Sequence, residues 1–214
     1  MKSTYLLMRR VLDIILSGLL LILLGPVLIL VSVVVLFGMG RPIFFLHERQ
    51  GHKGTFSIIK FRTMIKDAER IGGGYFSKDI KLVPPLGGIL RKTSLDELPQ
   101  LINILKGDMS FVGPRPAIPS QVERYTPEQT KRLTVPQGVT GLAQLRYRND
   151  APWSVRIESD LEYVDSIGPL TDLRILFNTP IKVLRGTGVR MDQTSDQVDD
   201  LGTGKERKND ENTK

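Results

Sequence analysis

The chain has 214 residues, 41% hydrophobic content, a formal net charge of +7 and no cysteine. Its length and apolar content suit one globular domain with a real core plus one special segment, which excludes a disordered chain; the missing cysteines exclude disulfides and thiolate metal sites, and His47 and His52 alone leave little material for a zinc centre or a histidine triad. Residues 190–214 hold 5 basic and 7 acidic side chains, so the body carries 25 against 16, a surplus that suits a phosphate-bearing partner such as nucleic acid, a nucleotide or anionic lipid headgroups.

Behind a basic flank that includes Arg9 and Arg10, Val11–Met39 is almost wholly apolar, interrupted by Asp13, Ser17, Gly25-Pro26 and Ser32. At about 1.5 Å per residue the segment is long enough for a hydrocarbon layer of roughly 30 Å. Gly25-Pro26 lies at its middle, where proline removes a backbone donor and bends a helix. Basic residues stand at both ends, Arg9 and Arg10 before and Arg41, Arg49 and Lys53 after, so the positive-inside tendency selects no single orientation. Two topologies follow: a spanning helix, or a re-entrant one that bends at Pro26 and leaves by the face it entered. Asp13, near one end, is expected at headgroup level. A cleaved signal peptide fits poorly, because the apolar run exceeds the usual ~7–15 residues and no small-residue cleavage site follows.

Gln50-Gly51-His52-Lys53-Gly54 has the composition of a tight turn, and predicts a β-hairpin whose second strand covers Phe56–Met64. Alternation puts Ile58, Lys60 and Arg62 on one strand face, where the two cations would grip one phosphate or line a solvated surface. Lys66–Ile71 suits a short helix. Gly72-Gly73-Gly74 is a flexible loop without the Gly-Lys-Ser/Thr of a phosphate loop. Leu82–Leu90, with Pro84-Pro85 and Gly87-Gly88, is an irregular approach to the next motif.

That motif is Arg91-Lys92-Thr93-Ser94-Leu95-Asp96-Glu97-Leu98-Pro99-Gln100. Leu98, Leu101, Ile102 and Leu105 recur at helical spacing and Gly107 suits a left-handed end, which predicts a helix over about 97–106 with Pro99 in its first turn and Asp96 near its N-cap. Two readings stand side by side. Ser94 and Glu97 have capping-box spacing and Asp96 suits a plain N-cap, which gives both acids to the helix start; or the unpaired N–H groups there favour an ionised Asp96 and welcome a phosphate or metal beside it. Downstream, prolines on both sides fix the backbone of Arg115, which suits bidentate phosphate binding or a plain surface linker.

Pro119–Leu133 is polar and helix-compatible in parts. Pro136–Gly141 is a turn before Leu142–Arg148, which as a strand would put Arg146 and Arg148 on one face. Pro152–Val164 predicts a helix with Trp153, Ile157, Leu161 and Val164 facing the core and Asp160 and Tyr163 near that stripe. Leu170–Leu184 suits a basic amphipathic helix interrupted by Pro180, lying on an anionic membrane or covering the core. From Met191 onward a polar, disordered tail is expected.

Taken together, Lys60-Phe61-Arg62-Thr63-Met64, Ser94-Leu95-Asp96-Glu97-Leu98-Pro99-Gln100, Val112-Gly113-Pro114-Arg115-Pro116 and Gly138-Val139-Thr140-Gly141, behind a proline-broken apolar N-terminus, resemble the bacterial sugar transferase family, the monotopic phosphoglycosyl transferases. The resemblance runs over residues 5–188 and is to the small form, essentially the catalytic domain without an extra N-terminal membrane bundle. It implies transfer of a sugar-1-phosphate from a UDP-sugar to polyprenyl phosphate with release of UMP, the first membrane step of glycan assembly. By the same resemblance Asp96 matches the nucleophile that forms a covalent phosphosugar intermediate and a ligand of Mg2+, Glu97 its partner, Lys60, Arg62, Arg91 and Arg115 phosphate contacts, and Arg146, Arg148 and Asp160 sugar or supporting residues.

The expected fold is α+β: a mostly helical, membrane-associated domain with a short β-hairpin and a re-entrant, Pro-bent membrane helix over 1–40, a catalytic domain over 41–190 and a tail over 191–214. The resemblance places it on the cytoplasmic face of the bacterial inner membrane, with UDP-sugar, polyprenyl phosphate and membrane lipids as partners, no nucleic acid, and an oligomeric state that the sequence leaves open. Three departures from the family pattern stand out. Gly25-Pro26 replaces Ser-Pro, Pro136-Gln137-Gly138 replaces Pro-Gly, and Tyr147 replaces a glycine before Arg-Asn. The alternative from another class is a membrane-anchored, non-catalytic binder of nucleotide or polyanion, against which the Asp96-Glu97 pair beside Arg91 speaks.

Overall fold

A computed structural model describes residues 2–66, 68, 82–148, 150–184 and 198–201. The apolar N-terminus forms two helices, α1 (Lys2–Leu23) and α2 (Gly25–Met39), bent by 61° at the break. Pro26 sits in the first turn of α2, where its missing N–H has no intrahelical acceptor to lose. Neither helix alone is long and apolar enough to cross a membrane; the bent pair passes that test together.

The N-terminal half of α1 is bolted to the rest of the protein by a buried polar network. Arg9 donates to Ser110 Oγ (2.8 Å), Tyr163 Oη (2.8 Å) and the Val112 carbonyl, and pairs with Asp172 (3.2 Å), which also accepts from Tyr163 and Tyr5. Asp13 is buried and accepts from Ser110 Oγ (2.7 Å) and the Phe111 N–H (3.3 Å). Arg10 caps the carbonyls of Ile104 and Leu105. The basic flank thus serves the fold. The opposite side of α1 exposes Leu7, Met8, Val11, Leu12, Ile15 and Leu19.

The hairpin forms as the turn chemistry predicts, β1 (Phe44–Gly51) pairing antiparallel with β2 (Gly54–Phe61) from Phe44 opposite Phe61 to Gly51 opposite Gly54. Leu82–Leu90 is not irregular: α3 (Pro85–Thr93) starts on Pro84-Pro85, and Gly87 lets it approach so closely that a Cβ there would lie 2.0 Å from the Thr63 carbonyl oxygen. Ser94 then turns left-handed (φ 59°) into a 3-10 turn, Leu95–Glu97, and only after Pro99 does α4 (Gln100–Lys106) begin. The helix is therefore shorter than the leucine spacing suggests, and Gly107 ends it with φ 96°.

β3 (Ser110–Val112) pairs in parallel with β4 (Gly138–Thr140), so part of the expected Pro136–Gly141 turn is strand; a Cβ on Gly138 would lie 2.1 Å from the Gly113 nitrogen. Gln137 bridges neighbouring elements with a buried amide, accepting from the His52 N–H (2.6 Å) and donating to the Arg132 and Val135 carbonyls. Between these strands lie the short helices α5 (Pro119–Val122) and α6 (Pro127–Thr130) and a 3-10 turn, Lys131–Leu133. The Leu142–Arg148 stretch is a helix, α7 (Leu142–Tyr147), not a strand.

α8 (Trp153–Ser166) buries Ile157, Ser159, Asp160 and Tyr163, so the polar pair belongs to the inner face, while α9 (Pro169–Leu184) runs on through Pro180 without interruption. Of the tail, residues 198–201 are docked: Val198 and Leu201 are buried, Arg124 grips Asp199 with two hydrogen bonds, and Asp200 accepts from the Ser154 N–H. The rest of the expected tail, the Gly72–Gly74 loop and nearly all of the Lys66–Ile71 segment lie outside the described residues.

Candidate active site

The left-handed turn at Ser94 reverses the chain after α3 and lodges Asp96 and Glu97 in a cavity of about 930 Å³, walled by the hairpin, α3, the β3–β4 pair and the inner side of α9. The capping-box reading does not hold, because Ser94 makes no capping hydrogen bond and the Glu97 side chain is engaged elsewhere. Glu97 accepts from Lys60 Nζ (2.7 Å) and Arg115 Nη2 (2.5 Å). Burial by itself would raise its pKa, yet Arg115 and Lys60 outweigh burial and hold the carboxyl well below the usual range.

Asp96 behaves oppositely. It is buried in the 3-10 turn, ahead of the α4 N-terminus and not at its cap, and no hydrogen bond among the described residues falls on its carboxylate. Burial first, and the adjacent Glu97 charge second, push its pKa up to about 6, against the pull of Lys60, Arg91 and Arg115. Where the sequence suggests a helix start that favours its ionised form, the structure sets burial and Glu97 against three cations. Two neighbouring carboxylates are driven apart in acidity, one locked ionised by partners and one left uncommitted.

The other candidate residues divide. Arg91, on α3, lines the cavity near both carboxylates while its Nε donates to Thr63 Oγ1 (2.8 Å). Arg148 reaches in from the end of α7 with a left-handed backbone (φ 54°) and lies 3.3 Å from Ser94 Oγ. Arg62 borders the same cavity as Lys60, but it stands beyond the end of β2 and its guanidinium is given to the carbonyls of Met39, Gly40 and Arg41, capping α2. Arg146 and Arg148 likewise part company, since on a helix residues two apart do not share a face. Arg146 pairs with Glu162 at the surface (2.5 and 2.6 Å).

Asp160 acts at one remove. It is buried against Arg132, whose guanidinium also donates to the Arg115 carbonyl (2.8 Å) and to Tyr125 Oη. The chain Asp160–Arg132–Arg115–Glu97 holds the backbone of one cation in place. Sequence reading missed Arg132, and also Arg156, which lines the cavity and feels the charges of Arg115 and Asp160. Arg132 and Asp160 are 28 residues apart with no shared motif; the one local signal is Arg156 four residues before Asp160 on a helix.

Among the described residues, no group of three or more His, Cys, Asp and Glu side chains is placed to hold a metal ion. Among the described residues, Asp96 and Glu97 are the carboxylates on the cavity wall, and Glu97 is taken up by cations. Of these two, Asp96 is the one open to a metal, and a single carboxylate suits Mg2+ where phosphate oxygens and water complete the shell.

Comparison with known proteins agrees in one direction. The model of the bacterial sugar transferase family matches residues 4–186. The chain is 39% identical over 187 residues to an exopolysaccharide production protein, ExoY, of Sinorhizobium fredii, covering 80% of this chain and 83% of that one. It is 39% identical over 184 residues to a protein named an uncharacterized sugar transferase, EpsL, of Bacillus subtilis, covering 86% and 90%. An undecaprenyl-phosphate galactose phosphotransferase of Salmonella typhimurium is 38% identical over 197 residues, covering 85% of this chain but 41% of that longer protein.

Proposed function

The chain belongs to the bacterial sugar transferase family, and from that premise we propose that it moves a sugar-1-phosphate from a UDP-sugar to polyprenyl phosphate and releases UMP. The observation that carries this reading is the divided carboxylate pair: Glu97 locked between Lys60 and Arg115, and Asp96 uncommitted in a cation-walled cavity. In the first step an Asp96 oxygen attacks the β-phosphorus of the donor. The bond from that phosphorus to the bridging oxygen breaks and UMP leaves with the electron pair. In the second step a phosphate oxygen of the acceptor attacks the same phosphorus and returns Asp96 as carboxylate.

Each cation has work in this scheme. Arg91, Arg115, Arg148 and Lys60 offset the diphosphate charge, and Glu97 keeps Lys60 and Arg115 in register. Asp96 would hold Mg2+, which neutralises developing phosphate charge when bound. An isolated carboxylate with a pKa near 6 is mostly ionised at neutral pH and remains a competent nucleophile.

The membrane reading rests on apolar surface. The outer sides of α1 and α2 are exposed, and so is a stripe of Leu170, Leu173, Phe177 and Ile181 on α9. A re-entrant α1–α2 pair with α9 lying in the headgroup plane puts the cavity where a lipid phosphate and a cytoplasmic nucleotide meet, on the inner face of the bacterial membrane. The test is UMP release from a panel of UDP-sugars with undecaprenyl phosphate. One or two donors should turn over, with parallel double-reciprocal lines as donor and acceptor are varied. Intersecting lines, or no turnover with any donor, would overturn the reading.

A further inference from the structure

The cavity is larger and more apolar than its charged end requires. Ile58, Leu101, Ile104, Phe111 and Val139 line it; Ile58, Leu101 and Ile104 belong to a core cluster against which Phe111, Val139 and, at the α1–α2 bend, Leu20, Leu21 and Leu24 all pack. The facing wall is α9, which turns Thr179, Lys182 and Val183 inward while exposing Leu173, Phe177 and Ile181 outward. Leu145 adds to the apolar lining. One cavity therefore carries carboxylates and cations together with an apolar lining, its apolar arm, bounded by two elements with exposed apolar surface; His47, Arg49 and Lys182 also line it. Its charge pattern is that of an amphiphile with a phosphate head, and its volume stands at the upper end of the ~300–1,000 Å³ common for ligand sites.

We propose that this arm, between α9 and the floor formed by Ile58, Leu101, Ile104, Phe111 and Val139, holds the first isoprene units of the polyprenyl phosphate acceptor, with the phosphate at the Asp96–Glu97 end. The inference rests on the transferase reading for its choice of lipid. The geometry places chain recognition inside the protein: the outer apolar stripes meet bulk lipid, and the arm selects the acceptor from it. Val183, on the inward side of α9, is half-buried and borders the arm, so a larger side chain there fills the space without removing a charge.

The test is photolabelling of the full chain in nanodiscs of phosphatidylethanolamine and phosphatidylglycerol. The probe is a polyprenyl phosphate with a diazirine on an isoprene unit near the phosphate, and adducts are mapped by mass spectrometry. Adducts are expected on the segments holding Val139, Leu145 and Val183. Excess undecaprenyl phosphate should displace them and excess phosphatidic acid should not. Val183→Trp and Val139→Phe should each cut labelling about ten-fold or more, the loss expected when a few methylene groups no longer find an apolar pocket.

Adducts confined to Leu173, Phe177 or the outer sides of α1 and α2 would overturn the proposal, as would equal displacement by phosphatidic acid or undiminished labelling in both variants. If a variant fails to fold, the wild-type adduct map decides alone. Labelling needs neither donor nor turnover, so a chain that labels in the arm yet releases no UMP would refute the transferase reading only. Turnover without arm labelling would refute the arm only.

Discussion

At the scale of single residues, the site depends on unequal treatment of two adjacent acids. Glu97 raises the Asp96 pKa by its charge and, by occupying Lys60 and Arg115, limits their pull on Asp96. Reaction with donor alone should therefore fall along a single acid limb near pH 6, and Glu97→Gln should move that limb downward while slowing the reaction; a pH–rate profile of both proteins checks this.

The same shift bears on stability. Between the ordinary carboxylate value of ~4 and the folded value near 6, the folded chain binds a proton that the unfolded chain has released, so ionised Asp96 weakens the fold above about pH 6 and the penalty fades as pH falls toward 4. Asp96→Asn should thus be more stable than wild type at pH 7.5, on the order of 2 kcal/mol by denaturant titration, with the gain vanishing near pH 4. Both acids were legible in the sequence as a pair beside Arg91. Their division of labour was not, because it is set by Lys60 and Arg115, which stand 37 and 18 residues from Glu97.

At the scale of elements, what the sequence disclosed was what is local. The His52-Lys53 turn between alternating strands and the left-handed stop at Gly107 need only their neighbours. What it concealed depends on distant contacts. Gly87 and Gly88 look like helix breakers, yet α3 forms because a bare Gly87 allows contact with the Thr63 backbone, and that contact sets Arg91 beside Thr63. Gly87→Ala would press a methyl group against backbone that cannot swing aside. It should cost about 2 kcal/mol or more by thermal or denaturant unfolding and lower the donor half-reaction, whereas Gly25→Ala, with open space at its Cβ, should cost far less.

Arg62 and Arg146 illustrate the same limit, since alternation and motif membership cannot reveal that a carbonyl cluster or a surface glutamate claims the side chain. The Arg132–Asp160 pair lies wholly beyond local reading.

At the scale of the whole molecule, the bend at Pro26 and the buried network around Arg9 and Asp13 tie the apolar segment to the site. The proline was legible as a break; the docking of α1 was not, because Arg9 and Arg10 have the same appearance whether they flank a membrane helix or lock it to a core. In the re-entrant arrangement, single cysteines introduced as Thr4→Cys and Lys53→Cys, both at exposed positions, should both react with an impermeant reagent from the cytoplasmic side of inverted vesicles, and labelling from opposite sides would establish a spanning segment.

In the proposed reaction Asp96 carries the sugar phosphate between donor and acceptor. The most direct measurement is intact and peptide mass analysis after incubation with the preferred UDP-sugar and Mg2+ in the absence of acceptor. Wild-type protein is expected to gain one sugar-phosphate on the peptide containing Asp96, to lose it on addition of undecaprenyl phosphate, and Asp96→Asn is expected to gain nothing. Turnover with no such adduct, or an adduct that persists in Asp96→Asn, would contradict the account.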